Sequence, residues 1–227
     1  MIIWLASYPK SGNTWVRSII SSLLYTKDGV FNFQYLKKIK QFPHYEYFKD
    51  FISDENNIHE IKKAWIIAQE KINLDKQIKF FKTHQGNYVL NNYPFTNSEN
   101  TLATIYVTRD PRNLISSISN HYEISIEDAF KFIKSPKFIQ GEFQSNNKTF
   151  KHIKVLLGNW TQHYDSWTQN NKNLLIVKYE DLIKNPLLEL KKIIEFLNKY
   201  MTVHTNNQKN ENIIKTTSFE NLKKMEN

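Results

Sequence analysis

The 227-residue sequence contains no cysteine, which excludes disulfide bonds, thiolate metal sites and a cysteine nucleophile. Long apolar runs are absent as well: no stretch approaches the roughly 18 apolar residues that a membrane helix needs. The sequence also begins without the basic leader and long apolar segment of a signal peptide. We therefore expect a cytoplasmic protein with no membrane span.

Acidic residues are in the minority, with 22 Asp and Glu against 31 Lys and Arg and a formal net charge of +9. This surplus favours an acidic ligand, either a nucleotide with several phosphate or sulfate groups or a nucleic acid. The basic residues are scattered through predicted helices and no recognised nucleic-acid-binding motif appears, so we expect no nucleic-acid partner. The length suits one domain, over residues 1–227, and the apolar content of 40% suits a folded core.

Short apolar runs alternate with segments of helical periodicity. The runs predict core strands over residues 2–7, 78–82, 102–108 and 174–178. Spacing and capping residues predict helices over 15–25, 125–134 and 150–169, within 27–77, and from Asp110-Pro111 and Asn185-Pro186 onward. Residues 135–149 and 198–216 lack periodicity and are predicted to be loops. The alternation indicates an α/β fold, with a central parallel sheet flanked by helices and ligands bound at the carboxyl ends of its strands.

A polar loop from Tyr8 to Thr14 joins the first predicted strand to the first predicted helix. The helix N-terminus presents unpaired N–H groups and positive dipole to this loop, Gly12 permits close backbone approach, and Lys10 adds a full charge. These features predict a site for a phosphate-like anion. The loop is not that of ATPases and GTPases, because its lysine precedes the glycine and the first glycine of that pattern is absent. A Mg²⁺-dependent P-loop kinase of a small molecule stays an alternative.

Two further motifs follow predicted strands. His84 closes the second strand, where a histidine can act as a general base at neutral pH, and Lys82 lies on the same side of that strand. Arg109 follows the third strand, and its planar guanidinium suits a phosphate. Ser117 lies eight residues further on, about two helical turns away. The pair of Arg109 and Ser117 predicts a second anion site.

These motifs resemble those of sulfotransferases, which use 3′-phosphoadenosine 5′-phosphosulfate (PAPS) as donor. The run Ser7-Tyr8-Pro9-Lys10-Ser11-Gly12-Asn13-Thr14-Trp15 resembles their 5′-phosphosulfate loop, and Lys82-Thr83-His84 resembles their Lys-Thr-His motif. The segment from Tyr106 to Ser117 resembles their 3′-phosphate-binding motif. Tyr179-Glu180-Asp181-Leu182 and Thr217-Ser218-Phe219 resemble further segments that contact the cofactor. The resemblance implies the P-loop-like sulfotransferase fold.

The resemblance also implies a role for each matching residue. The catalytic residues would be His84 as base, with Lys10 and Lys82 steadying the phosphosulfate. The cofactor-binding residues would be Lys10, Ser11, Gly12, Asn13, Thr14, Trp15, Arg109, Ser117, Tyr179, Thr217 and Phe219. The expected reaction moves the sulfuryl group of PAPS to a hydroxyl or amine and releases 3′-phosphoadenosine 5′-phosphate (PAP), without a metal ion.

Two departures from the family pattern bear on these expectations. His84 is followed by Gln85-Gly86-Asn87, where cytosolic members usually continue Leu-Pro. Family members also extend to an Arg-Lys-Gly segment and a Gly-x-x-Gly-x-Trp-Lys loop, whereas this sequence ends at Asn227. We therefore expect the C-terminal cofactor segment to be missing here, and a non-catalytic nucleotide-binding relic stays an alternative.

The acceptor is open. The motif Arg109-Asp110-Pro111-Arg112 is typical of bacterial and carbohydrate sulfotransferases. The motif Lys82-Thr83-His84 is typical of cytosolic small-molecule sulfotransferases. We expect a small-molecule or carbohydrate acceptor. A homodimer also stays open, because the family's dimer segment would lie beyond Asn227.

Overall fold

The computed structural model describes residues 1–139, 153–169 and 171–226. The strands are β1 Ile2–Ser7, β2 Lys40–Gln41, β3 Lys79–Thr83, β4 Val89–Leu90, β5 Tyr93–Pro94, β6 Thr101–Thr108, β7 Phe138–Ile139, β8 Val155–Leu156 and β9 Leu174–Lys178. The α-helices are α1 Asn13–Tyr25, α2 Tyr45–Phe48, α3 Ile58–Asn73, α4 Pro111–Tyr122, α5 Ile126–Lys134, α6 Trp160–Thr168, α7 Tyr179–Lys184, α8 Pro186–Leu197, α9 Asn207–Thr216 and α10 Phe219–Glu226. A 3₁₀ helix covers Phe33–Lys38.

Five parallel strands form the central sheet, in the order β2-β3-β1-β6-β9. The chain leaves β1 toward β3 on one side and then crosses to β6 on the other. The order therefore reverses at β1, and a crevice opens there at the carboxyl ends of the strands. The parallel α/β architecture predicted from the sequence is confirmed.

Alternate residues of the central strands face two apolar layers. Ile3 and Leu5 of β1 belong to a core that also contains residues of α1, α8 and α9. Trp4, their neighbour on the other face, lies in a second core with residues of α2, α3 and α6. Because both faces are covered, the central strand β1 is apolar from Ile2 to Ala6, as is typical of buried parallel sheets.

The four predicted core strands all belong to this sheet. The first and the last have the predicted bounds, the third begins one residue early, and the second is shifted by one residue to Lys79–Thr83. Helix α1 begins two residues before the predicted start. The predicted caps are confirmed: Asn185 caps α8 with Pro186 in its first turn, Asp110 caps α4, and Ser125 caps α5.

The helix predicted over 150–169 is wrong in its first half. Residues 150–152 lie outside the described ranges, Val155–Leu156 pairs with Phe138–Ile139 as a two-stranded sheet, and the helix begins only at Trp160. Gly158 adopts a left-handed φ of 69°, which an α-helix does not accommodate. Asn159 then starts α6 with a capping box to Gln162.

The loop predicted over 198–216 is wrong for its second half, where α9 covers Asn207–Thr216. This helix is polar on average, so periodicity alone hides it. Asn206 caps it, Ile213 is buried against the core beside α1, and Lys209 Nζ donates to Leu23 O at 2.8 Å. Tertiary packing therefore holds a helix that the local pattern does not indicate. Within the loop predicted over 135–149, Phe138–Ile139 forms β7, and residues 140–149 lie outside the described ranges.

Within the described part of the chain, no helix is both long and apolar enough to cross a bilayer.

Candidate active site

Each of four sequence motifs follows a strand of the central sheet. Parallel strands end at one edge of a sheet, so the segments that follow them share that edge. The segments are the loop after β1, His84 after β3, Arg109 after β6 and Tyr179 after β9. The order β3-β1-β6-β9 makes these segments neighbours, with the loop after β1 between His84 and Arg109.

The loop after β1 has the backbone of an anion cradle. Lys10 and Gly12 both take left-handed φ values, 66° and 99°, and such turns direct successive N–H groups to one side. Gly12 occupies the N-cap of α1 and has no side chain to satisfy the first turn. The N–H of Val16 bonds to Gly12 O at 3.2 Å, which leaves the earlier N–H groups of the helix directed at the loop.

Steric contact with a neighbouring side chain also requires glycine at position 12. A Cβ at this position would lie 2.6 Å from Cδ2 of Tyr179, well inside van der Waals contact. The positive φ and this close approach together exclude a larger residue. Gly12 and Tyr179, 167 positions apart in the sequence, therefore form one wall of the site.

Asn13 holds the loop on its strand. Its Nδ2 donates to Leu5 O at 3.0 Å and to Ser7 Oγ at 3.1 Å, inside the protein. The Asn13 amide nitrogen is thus used to position the loop, whereas its buried Oδ1 has no hydrogen-bond partner among the described residues. A contribution of Asn13 to an anionic ligand would come from its backbone N–H. Thr14, the next residue of the predicted loop, is exposed.

Arg109 joins the loop to the far side of the site. Its Nη1 donates to Lys10 O at 3.3 Å, and its guanidinium carbon lies 4.3 Å from the centre of the Tyr179 ring. Trp15, 8% exposed, packs edge-on against the same ring at 5.6 Å. The structure therefore brings together Lys10, Gly12, Trp15, Arg109 and Tyr179.

The remaining predicted cofactor residues are less closely tied to this group. Ser117 lies partly buried on α4, two turns beyond Arg109. Thr217 is buried at the end of α9, where its hydroxyl donates to Ile213 O at 2.7 Å. Phe219 is 58% exposed at the start of α10, and the contacts of the described residues do not join it to Trp15. Roles for these three residues stay predictions.

Contacts with Ser7 hold the imidazole ring of His84 in place. Its Nδ1 lies 2.7 Å from Ser7 O and 3.2 Å from Ser7 Oγ. A carbonyl only accepts, so Nδ1 carries the proton and donates, which leaves the lone pair of the neutral ring on Nε2. Burial, reinforced by the nearby charge of Lys82, holds the pKa of His84 well below its usual value. The ring is consequently neutral at physiological pH, the state in which a histidine accepts a proton.

Lys82 lies close to two other cations, Lys10 and Arg17. Lys82 and Phe80 are two residues apart on β3, so both face the layer that contains α1. Burial, together with the charges of Arg17 and Lys10, lowers the pKa of Lys82 to about 8. Arg17 was not anticipated from the sequence: its Nη2 donates to Leu36 O at 3.0 Å and Ile39 O at 2.9 Å, which ties α1 to the segment before β2.

Several buried polar atoms around the loop have no hydrogen-bond partner among the described residues. They include Ser11 Oγ, Arg17 Nε and Arg109 Nε. Unpartnered buried donors are costly, and their concentration beside clustered cations is what an anion site requires. No group of three or more His, Asp or Glu side chains in the described ranges is arranged to hold a metal ion.

The lowered pKa of Lys82 makes a testable prediction about proton uptake. With a pKa of about 8, Lys82 is expected to be about half neutral at pH 8, and an anion bound beside it should raise that pKa and draw a proton onto the amine. We expect the binding of PAP at pH 8 to take up on the order of half a proton, and its affinity to fall as the pH rises further. Calorimetry in buffers of different ionisation enthalpy measures this uptake.

Lys82→Met is the matched variant for that experiment. It removes the titrating amine and keeps an unbranched side chain, so the proton uptake that accompanies PAP binding at pH 8 should disappear. An unchanged uptake in Lys82→Met would assign the proton to another group.

The arrangement is that of an α/β protein with a candidate anion cradle where the strand order reverses. Residues 2–227 match the family model described as "Sulfotransferase domain". Because the match covers nearly the whole chain, this protein belongs to the sulfotransferase family.

Named relatives agree with that assignment. The chain is 29% identical to luciferin sulfotransferase of Photinus pyralis over 231 residues, covering 97% of this chain and 56% of the relative. It is 27% identical to sulfotransferase 1B1 of Canis lupus familiaris over 225 residues, covering 97% of this chain and 66% of the relative. The chain therefore spans less than two thirds of the length of these relatives.

Solved structures show the same fold. Mouse sulfotransferase SULT7A1, complexed with PAP, has a TM-score of 0.60 at 20% identity, covering 97% of this chain and 65% of that chain. Retinol dehydratase, in complex with androsterone and PAP, also has a TM-score of 0.60, at 15% identity, covering 98% of this chain and 65% of that chain.

Proposed function

We propose that this protein is a sulfotransferase that moves the sulfuryl group of PAPS to a hydroxyl or amine of a small-molecule or carbohydrate acceptor. The observation that carries the proposal is the pairing of a neutral, oriented His84 with the anion cradle of the neighbouring strand. Both depend on Ser7. Its carbonyl accepts from the His84 ring, and its hydroxyl accepts from the Asn13 side chain that anchors the cradle.

PAPS fits the residues present. The left-handed turn at Lys10 and Gly12 and the N-terminus of α1 suit the 5′-phosphosulfate. Arg109 and Ser117 suit the 3′-phosphate, and Arg109 retains an unpartnered Nε within the described chain. When bound, PAPS supplies a sulfuryl group on a phosphate leaving group.

The chain's own residues then have distinct tasks. His84 Nε2 takes the proton of the acceptor hydroxyl or amine, while Ser7 O keeps the ring in place through Nδ1. Lys10 stabilises negative charge on the 5′-phosphate, and Lys82 steadies the sulfuryl oxygens. Arg109 and Ser117 fix the register of the nucleotide, and the packed rings of Trp15 and Tyr179 lie toward the adenine side. Thr217 and Phe219 complete the adenine contacts in this proposal.

The direct test is calorimetric titration of the purified chain with PAP, with AMP and ATP as controls. We expect micromolar binding that depends on the 3′-phosphate, because Arg109 has charge-assisted donors available for it. AMP lacks that phosphate, and ATP places its extra charge at the 5′ end. Equal affinity for PAP and AMP would contradict the 3′-phosphate site.

Transfer is tested separately. Incubation with ³⁵S-labelled PAPS and a panel of phenols, alcohols, amines and sugars should yield a labelled organic product. Binding of PAP without any labelled product across the panel would favour the non-catalytic nucleotide-binding alternative.

A further inference from the structure

Helix α6 makes a row of hydrogen bonds to the segment that carries His84. His163 Nε2 lies 3.1 Å from His84 O, and Trp167 Nε1 donates to Gln85 O at 3.0 Å. The two side chains are four residues apart, so they lie on one face of the helix, and both are fully buried. Between them Ser166 Oγ accepts from the N–H of Asn87 at 3.0 Å.

This segment lies past the end of β3 and is held by β8 as well as by α6. The N–H of Gly86 donates to Leu156 O at 3.0 Å, and the N–H of Leu156 donates to Gln85 Oε1 at 2.7 Å. Strand β3 ends at Thr83, and the pairing with β2 reaches only Lys82. The backbone of His84 and the residues after it therefore lies outside the sheet ladder. Hydrogen bonds from α6 and β8 replace the ladder there, and the one from His163 ends on the carbonyl of His84 itself.

The proton on His163 is determined by its two partners. The carbonyl of His84 can only accept, so Nε2 of His163 carries the proton. Nδ1 then has the lone pair and accepts from the hydroxyl of Tyr106, 2.8 Å away on β6. Burial lowers the pKa of His163 to about 3, so the ring stays neutral and donates in one direction only.

We propose that His163, oriented by Tyr106, is a positioning residue that holds the backbone of the base His84 at its working distance. The proposal rests on the proposed function, because it takes His84 as the base. Ser7 O fixes the ring of His84 from β1, and His163 fixes its backbone from α6. Fixing both ends limits where Nε2 can lie, and proton transfer is sensitive to displacements of about 1 Å.

Tyr106→Phe tests the proposal with the smallest change. It removes one hydroxyl and keeps the ring in its core, so Nδ1 of His163 loses its hydrogen-bond donor and the His163 ring loses one of its two anchors. We expect kcat for sulfuryl transfer to fall on the order of tenfold, with the KM for PAPS and the affinity for PAP unchanged. His163→Leu should lower kcat further, on the order of 100-fold, and His163→Gln, which keeps a donor, should recover part of that loss.

Tyr164→Phe is the matched control. Tyr164 lies on the same helix and its ring packs against Tyr106 at 5.6 Å, but its hydroxyl is outside the row of hydrogen bonds. Its kcat should stay within about twofold of the parent value, since no hydrogen bond of the row is lost. If Tyr106→Phe and Tyr164→Phe are equally active, His163 does not act through its orientation by Tyr106 and the proposal is overturned.

A spectroscopic readout separates this proposal from the proposed function. In ¹⁵N-histidine NMR spectra, the parent protein should show His84 protonated on Nδ1 and His163 on Nε2. Tyr106→Phe should shift the Nδ1 resonance of His163, which loses its hydrogen-bond donor, and move the His84 resonances as well. Unmoved His84 resonances would refute the positioning role even if the protein transferred sulfuryl groups normally. Moved resonances in a protein that binds no PAP would support the geometry while the proposed function failed.

Discussion

His84→Ala should reduce sulfuryl transfer by a factor on the order of 10² to 10⁴, the usual contribution of a positioned general base. The affinity for PAP should stay close to that of the parent protein. The physical reason is the division of the site between two strands: the anion cradle follows β1, whereas the base follows β3. The hydrogen bond lost with the ring ends on Ser7 O, whose neighbouring hydroxyl still accepts from Asn13.

The measurement is single-turnover transfer of ³⁵S label beside a PAP titration. His59→Ala, an exposed histidine on α3, serves as the control and should behave like the parent protein. Activity in His84→Ala within a few-fold of the control would remove His84 as the base. A parallel collapse of PAP affinity would instead indicate that the ring supports the cradle.

Arg109→Ala should weaken PAP binding on the order of 10- to 100-fold, since hydrogen bonds to charged groups contribute about 1.5 to 3 kcal/mol. The guanidinium is already oriented, because it donates to Lys10 O and stacks on Tyr179. The affinity for AMP should change much less, as AMP has no 3′-phosphate to lose. Titration of both nucleotides into the variant measures the difference.

Arg112→Ala is the matched control for this experiment. Arg112 lies three residues away and is exposed, and its guanidinium is paired with Asp110 at the N-cap of α4. Loss of one exposed ion pair should cost little. Equal losses of affinity for PAP and AMP in Arg109→Ala would mean that Arg109 acts by holding the Lys10 loop rather than by binding the 3′-phosphate.

The sequence allows much of the central sheet to be predicted, because its strands are short apolar runs buried on both faces. Runs of this kind stand out at residues 2–7 and 174–178, where the predicted bounds are those of β1 and β9. The edge strand Lys40–Gln41 is missed, since two exposed polar residues give no such pattern. The polar helix α9 is missed for a related reason: its stability comes from α1 and α8 rather than from its own periodicity.

For the site, the motifs indicate which residues matter but not how they are held. The contact of Gly12 with Tyr179 joins residues from opposite ends of the chain, which local patterns cannot anticipate. The tautomer of His84 depends on the Ser7 carbonyl, and every residue has a carbonyl, so no sequence signal marks this one. Arg17 is a second example. The sequence shows only a cation on a predicted helix, and the structure is needed to place it beside Lys82.

The hydrogen bond between the His84 ring and the Ser7 carbonyl has an evolutionary consequence. In the proposed reaction it would couple the base His84 to the strand that carries the anion cradle, so that the two keep their spacing when surrounding segments change. The stretch between α1 and β3, rich in phenylalanine and tyrosine, supplies neither of the two. We therefore expect substitutions in that stretch to alter the choice of acceptor while they leave the proposed chemistry in place.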